Sequence, residues 1–443
     1  MKIALAHFRV GETDGVSLEM AKWRAALEKL GHEVVYLSGS RDGSEIYVPG
    51  LEYDNPRNLE IHRQAFVSDS DPVLLEKEIT DYAAELSKNL VSAIENHGID
   101  LIVPNNLLSL GYNLALGMAL MEATRKTNIK VITHHHDFHW ERERYSAPTH
   151  PLVTSLLDQY FPPREGVAKH AVINNIAREA MQERAGLDAT VVPNVFDFQQ
   201  EPWVVDEYNG HLRQDLGIGE NDIVVLQATR VTERKAIELA IRVVGYLNRQ
   251  RERIHGSLYD GRVFGAHDRI VLLMAGLVEA ETSYVDYLTE VAKEENVELV
   301  WGTDLIRATR EQKDSKRYYS LWDSYAIADV VTYPSILEGW GNQFLEAVFA
   351  QKPIIVYEYP VFLQDIKPLK FKVGTLGSTH TQNSHGYVEV SGEQIDSAGE
   401  QALQYLTNKM VREDAVLTNF AIGKEHFSYQ ALESILEGLL REV

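Results

Sequence analysis

The sequence predicts an α/β protein of two domains, each a parallel sheet flanked by helices. Three observations carry this. At 443 residues the chain exceeds what one small core accommodates and suits two domains, each burying its own interior. Its apolar runs are short and alternate with stretches of helical periodicity, the order that builds βαβ units. That order also starts twice, at Lys2 and again at Asp222, on either side of a polar stretch with few periodic positions, residues 198–216. The boundaries drawn from this are 1–197 for the first domain, 198–216 for a linker, 217–425 for the second domain and 426–443 for a final helix.

Lys2 to His7 reads as the first strand, and Gly11 to Gly15 as a polar loop before a helix from Ser17 to Leu30. Gly31 ends that helix and residues 32–36 open the next strand, the βαβ start of a Rossmann-like sheet. The loop lacks the G-x-G-x-x-G pattern, so no dinucleotide site is expected there. Asp69-Ser70-Asp71 precedes Pro72 and a helix with Glu76, Lys77 and Glu78, so this Asp-x-Asp reads as a helix N-cap and not as a metal motif. Residues 99–104 form a buried strand ending in Asn105-Asn106, followed by an apolar helix through Met121.

From Ile129 to Tyr145 the chain reads IKVITHHHDFHWERERY. Lys130 to Thr133 continue the strand alternation, so the histidines fall at its carboxyl end, where open α/β sheets bind ligands. In an extended run His134 and His136 share a face while His135 points away, and no Cys or distant His cluster supplies ligand spacing, so no metal is expected. Trp140, Arg142 and Arg144 interleave with Glu141 and Glu143. Arginine forks pair with carboxylate or phosphate and suit a small anion, with a solvated, self-paired charge run as the alternative. Residues 167–174 and 190–194 give the last strands of this half.

Asp222 to Arg230 opens the second sheet, and Arg230 and Lys235 flank its first loop. Two fixed cations where a strand meets a helix suit a diphosphate leaving group; plain surface charges are the alternative. Strands follow at 270–276 and 298–302, with a helix from Tyr284 to Glu295 between them and a helix from Tyr318 to Ala328 after them. The densest stretch is Val330 to Tyr357, VVTYPSILEGWGNQFLEAVFAQKPIIVY. Val330, Val331 and Tyr333 form a strand that Pro334-Ser335 ends, and Leu345, Val348 and Phe349 form a helical stripe. Gly339 and Gly341 let backbone amides approach a ligand where a helix begins, which predicts a phosphate cradle. Glu338 and Glu346 beside it suit hydroxyl groups, because carboxylates accept hydrogen bonds from sugar or ribose; an ordinary strand-loop-helix with solvated glutamates is the alternative. The text after Tyr359 looks irregular, and Ser428 to Arg441 reads as a last helix.

Composition narrows the partners. Against 43 basic side chains stand 65 acidic ones, a formal charge of -22, which argues against nucleic acid and the anionic face of a membrane. The absence of cysteine excludes disulfides and thiolate chemistry and fits a reducing cytosol. The first residues hold too short an apolar run for a signal peptide, and no 18-residue apolar stretch occurs, so a cytoplasmic protein is expected. Nothing in the sequence fixes an oligomeric state.

The stretch Pro334-Ser335, Glu338-Gly339-Trp340-Gly341, Leu345-Glu346-Ala347 and Lys352-Pro353 resembles the signature of retaining GT-B glycosyltransferases, the large family that includes sucrose-phosphate synthases and bacterial mannosyl- and glucosyltransferases. The resemblance implies two Rossmann-like domains facing each other across a cleft, with the last helix crossing back to the first domain. It implies hexose transfer, glucose or mannose, from a UDP- or GDP-linked donor to an acceptor hydroxyl; the acidic composition and the segment from Trp140 to Arg144 point to a small soluble polar acceptor, a sugar or sugar acid of the compatible-solute kind. Configuration would be retained, with no metal and no cofactor beyond the sugar nucleotide. By the same resemblance, Arg230 and Lys235 would stabilise the departing diphosphate and Glu338 would bind the donor sugar. The amides from Gly339 and Trp340 through Gly341 and Asn342 would hold sugar or phosphate, Glu346 the ribose, and Thr303 would lie by the base. His136, of a family His-Asp pair with Asp137, would orient the sugar. The resemblance brings Gly15 near acceptor and diphosphate and Asp137 to the acceptor's side, whereas Trp140, Arg142 and Arg144 depart from the family pattern and by their own chemistry suit an anionic acceptor. The chain departs from the family at Thr229 and Ala236, where glycines are usual. A nucleotide-sugar epimerase of the same fold and a sugar-nucleotide-binding regulator remain as alternatives.

Overall fold

A computed structural model describes residues 1–11, 15–68, 70–314 and 316–443. The interior of the first glycine loop, residues 12–14, and Asp69 of the expected N-cap lie outside them. The chain forms two compact units, Met1–Val195 with Tyr429–Val443, and Phe196–Ser428.

The first unit is built on seven parallel strands, β1 Lys2–Ala6, β2 Glu33–Ser38, β3 Ile46–Tyr47, β4 Leu101–Pro104, β5 Lys130–His135, β6 Lys169–Val172 and β7 Thr190–Val191. Their order is β3-β2-β1-β4-β5-β6-β7. The chain winds outward from β1 and returns to β4 on its other side, so the order reverses at β1, where the carboxyl ends of neighbouring strands leave a crevice. Alternation along β1 sends Ile3 and Leu5 into a core with Trp23, Leu27, Leu432 and Leu436. Ala4 and Ala6 face the opposite core, filled by Leu86 and Leu90 of the helix Pro72–His97 and by Leu116 and Leu120 of the helix Leu114–Thr127. Asp71 caps the helix Pro72–His97, accepting from the backbone amides of Val73 at 2.8 Å and Leu74 at 3.4 Å. The last helix, Tyr429–Arg441, packs on the helix Gly15–Lys29 in this same unit.

The second unit repeats the plan with β8 Ile223–Gln227, β9 Ile270–Met274, β10 Glu298–Trp301, β11 Val330–Tyr333, β12 Ile354–Val356 and β13 Gly374–Thr375, all parallel, in the order β10-β9-β8-β11-β12-β13. The reversal falls at β8, so the loops leaving β8 and β11 flank the crevice. Residues 198–216, expected as a linker, are packed into this unit: Trp203 stacks on Trp322 at 4.4 Å and the Asn209 amide donates to Asp323 at 2.9 Å.

Two expectations are corrected. Residues 318–320 are strand, not helix: Lys316–Ser320 pairs antiparallel with Glu311–Lys313, and the helix begins only at Leu321, where Asp323 accepts from the Ser320 amide at 2.8 Å. The cross-strand ladder and this cap outweigh the helical pattern. The text after Tyr359 is not irregular but helical, a wide turn at Phe362–Ile366 followed by a tight one at Lys367–Leu369, with Phe362 and Ile366 buried.

Candidate functional site

In the second unit the crevice at β8 and β11 gathers most of the expected donor-side residues. After β8 the chain runs through buried Thr229 to Arg230, then a tight turn, Glu233–Lys235, ending at Ala236 with φ 45° before the helix Ile237–Arg249. Ala236 thus holds the left-handed conformation that a glycine would take without strain. Gly276, after β9, permits the approach of this loop, since a Cβ there would lie 1.8 Å from the Thr229 carbonyl oxygen.

Lys235 is buried and its ammonium forms an ion pair with Glu338, which is itself largely buried. Arg234 reaches the same carboxylate at 3.2 Å and donates to the Leu337 carbonyl at 2.9 Å. Burial pushes Glu338 up, but Lys235, Arg234 and Ser335 together outweigh it and hold its pKa below the usual glutamate value. Burial lowers Lys235, partly offset by Glu338. The pair is buried, and its members are not the solvated charges of the alternative reading. Arg230 lies further out and is exposed, one guanidinium nitrogen donating to both carboxylate oxygens of Glu279 at 2.8 and 3.0 Å.

Gly341 precedes the helix Asn342–Phe349 with φ 118°, and a Cβ on it would lie 2.2 Å from the Tyr359 hydroxyl and 3.1 Å from that of Tyr333. The site therefore requires glycine twice over, for its dihedral and for space. The Tyr359 hydroxyl donates to the Trp340 carbonyl at 2.8 Å and so fixes the turn. The Trp340 ring is buried edge-on against Phe427 at 4.8 Å, so this residue supports the turn through its ring. Glu346 accepts from the buried Tyr325 hydroxyl at 2.9 Å. Thr303 sits in the turn after β10, where its carbonyl accepts from Arg307 at 3.2 Å.

In the first unit β5 continues two residues beyond Thr133 and delivers the histidines to the sheet's carboxyl end. His134 and His136 lie on one side with ring centroids 4.3 Å apart, while His135 turns away to stack on Phe138 at 5.1 Å. Folding also brings His170 of β6 to His135, 3.2 Å between ring nitrogens. Burial drives His134 and His135 well below the usual histidine value and His170 down to about 4, so these rings are neutral. Asn106 fixes the next step of the chain, its side-chain Oδ1 accepting from the backbone amides of His136 at 3.0 Å and Asp137 at 3.1 Å. Among the described residues no group of three His, Cys, Asp or Glu is placed to hold a metal ion.

Asp137, Arg142 and Arg144 line one cavity of about 480 Å³ with Leu110 and Glu143. Arg142 pairs with Asp137 at 2.6 Å, and the Arg144 guanidinium lies over Tyr145 at 4.8 Å. Trp140 is not among the lining residues; it stacks on Phe138 at 4.3 Å, with Arg184 over its ring at 5.6 Å. Gly15 opens the first helix, and a Cβ there would meet nothing within 4 Å among the described residues. Arg234, Glu279, Tyr325, Tyr333, Tyr359 and Asn106 were not among the expected site residues. Only the Asn105-Asn106 pair, at the carboxyl end of a strand, carried a local signal.

Residues 210–416 match the family described as glycosyl transferases group 1. The chain is 39% identical over 410 residues to the mannosylglucosylglycerate synthase of Petrotoga mobilis, covering 92% of this chain and 93% of that protein. It is 38% identical over 440 residues to the protein of the same name from Thermotoga maritima, covering 98% and 99%. Among solved structures it resembles a glycosyltransferase from Rickettsia africae, with a TM-score of 0.60 at 14% identity over 100% of this chain and 97% of that one. It also resembles the sucrose-phosphate synthase of Thermosynechococcus elongatus, with a TM-score of 0.58 at 12% identity over 100% and 98%. These likenesses give the fold, GT-B. Among the described residues no helix is long and apolar enough to cross a membrane.

Proposed function

From the premise that this chain belongs to the glycosyl transferases group 1 family and is a glycosyltransferase, we propose that it transfers mannose from a GDP- or UDP-linked donor to a hydroxyl of glucosylglycerate, with retention and without a metal. The product named for its relatives, 39% and 38% identical, supports the choice of sugar and acceptor. The observation that carries the donor half is the Lys235–Glu338 ion pair at the crevice where the helix Asn342–Phe349 begins.

The donor's diphosphate lies against Lys235, Arg230 and the amides from Gly339 through Trp340 and Gly341 to Asn342, where the helix dipole favours negative charge. Glu338 accepts from a sugar hydroxyl while Lys235 holds it in place, Glu346 takes the ribose, and Thr303 lies by the base. As the bond from the anomeric carbon to the phosphate oxygen breaks, charge grows on the diphosphate, and the fixed cations meet it without reorganising. The acceptor oxygen bonds to the anomeric carbon from the same face, and its proton passes to the departing phosphate oxygen. His136 orients the sugar, and Asp137, Trp140, Arg142, Arg144 and Gly15 belong to the acceptor's side. No cofactor takes part beyond the sugar nucleotide, and the reaction is cytoplasmic.

Incubation with GDP- and UDP-linked mannose and glucose, with and without glucosylglycerate and in excess chelator, tests this by nucleotide release. Release that needs one mannosyl donor together with the acceptor and survives chelation is expected. Turnover without acceptor points to an epimerase or hydrolase, and binding without any turnover points to a regulator.

A further inference from the structure

A second polar cavity, of about 580 Å³, opens in the first unit at the carboxyl ends of β1 and β2. None of its residues belongs to the site described above. Its walls include Arg9, Gly39, Arg41, Asp42, Tyr53 and Asp54. We propose that Arg9 and Arg41 bind the carboxylate of the acceptor here, and so select an acidic sugar over a neutral one. The inference rests on the reading of the acceptor as a glycosylated hydroxy acid.

Three features argue for a built anion site. Each arginine is oriented by an aromatic ring, Arg9 over Tyr53 at 4.6 Å and Arg41 over Tyr47 at 4.1 Å. A ring beneath it holds a guanidinium in place, and its five N–H donors lie in one plane, the geometry that receives a carboxylate on two parallel hydrogen bonds. The rings are themselves held: Tyr53 stacks on Tyr112 at 4.9 Å with an interplanar angle of 11°, the Tyr112 hydroxyl donates to the Tyr53 carbonyl at 2.5 Å, and the Tyr47 hydroxyl donates to Glu52. The cavity wall is equally fixed, because a Cβ on Gly39 would lie 2.2 Å from the Glu52 amide nitrogen.

The charges suit a polyhydroxylated acid. Glu52 is engaged by Tyr47, the Gly50 amide at 2.9 Å and the Asn55 amide at 2.9 Å. Asp42 and Asp54 are exposed at the cavity and can accept from sugar hydroxyls.

The test measures KM for glucosylglycerate, for its neutral methyl ester and for the donor in wild type, Arg9→Gln, Arg41→Gln and Arg142→Gln. The expected result is that Arg9→Gln and Arg41→Gln each raise KM for the acid about tenfold or more, as loss of a charged bidentate contact does. KM for the ester rises far less, and donor KM holds. Ester turnover also reports that the variants are folded. Equal losses on acid and ester, a loss confined to the donor, or acid selectivity that only Arg142→Gln removes would each overturn the proposal. Titration of the wild type and the two variants with the acid alone separates the cavity from the reaction. If the wild type transfers no mannose yet binds the acid through Arg9 and Arg41, the reaction assignment fails and the cavity assignment stands.

Discussion

Lys235 and Glu338 stand 103 positions apart in sequence and share one ion pair. Lys235→Ala removes a cation whose value grows as the donor bond breaks, so kcat is expected to fall about a hundredfold or more. The same change leaves a largely buried carboxylate with Arg234 as its remaining ion-pair partner, so the melting temperature should fall as well. Adding Glu338→Gln to Lys235→Ala tests the stability effect: the melting temperature returns, while kcat, which both residues serve, stays low. If kcat recovered with stability, Lys235 would be a structural cation and its place at the diphosphate would be lost. The sequence disclosed both residues through strand ends, spacing and the family signature. It could not disclose their pairing, because contact between the β8 and β11 loops depends on the strand order. Trp140 and Trp340 show the converse. Trp140 is placed by sequence with the acceptor-facing residues, yet its ring packs on Phe138, while Trp340, expected to act through its amide, has its ring against Phe427.

At the scale of elements, strand and helix order was legible because apolar runs alternate with amphipathic stretches, as in the helix Ile237–Arg249, whose Ile241, Val244 and Leu247 are buried. Element ends were less so. Tyr318 and Tyr319 fit a helical pattern but belong to a strand, since their partners, Glu311 of Glu311–Lys313 and Ile306 of Ile306–Arg307, lie in strands of three and two residues, too short to give a periodic signal. The sequence noted Ala236 as a departure from glycine; the structure gives the consequence, a left-handed alanine at the start of a helix. Ala236→Gly relieves that dihedral at the expense of a more flexible unfolded chain, and a net gain of about 0.5–1 kcal/mol is expected from denaturant midpoints. Unchanged or lower stability would mean that the alanine methyl makes contacts worth more than the strain.

At the scale of the molecule, two parallel sheets each reverse order beside their first strand, at β1 and at β8, and the expected site residues concentrate at the loops beyond the strand ends. This much followed from the double start of the sequence and from the glycine-bearing turn after β11. The cavity between Arg9 and Arg41 did not, because it joins loops after β1 and β2 that carry no motif, and only the fold brings the tyrosines beneath the arginines. The central claim is transfer of mannose with retention to a sugar acid. The most direct measurement is the proton NMR spectrum of the purified enzyme with glucosylglycerate and α-linked nucleotide-diphosphate mannose, followed in excess chelator. The account predicts a new α-mannosyl anomeric proton on the acceptor, appearing in step with one nucleoside diphosphate. A β-linked product, free mannose alone or an isomerised donor would contradict it.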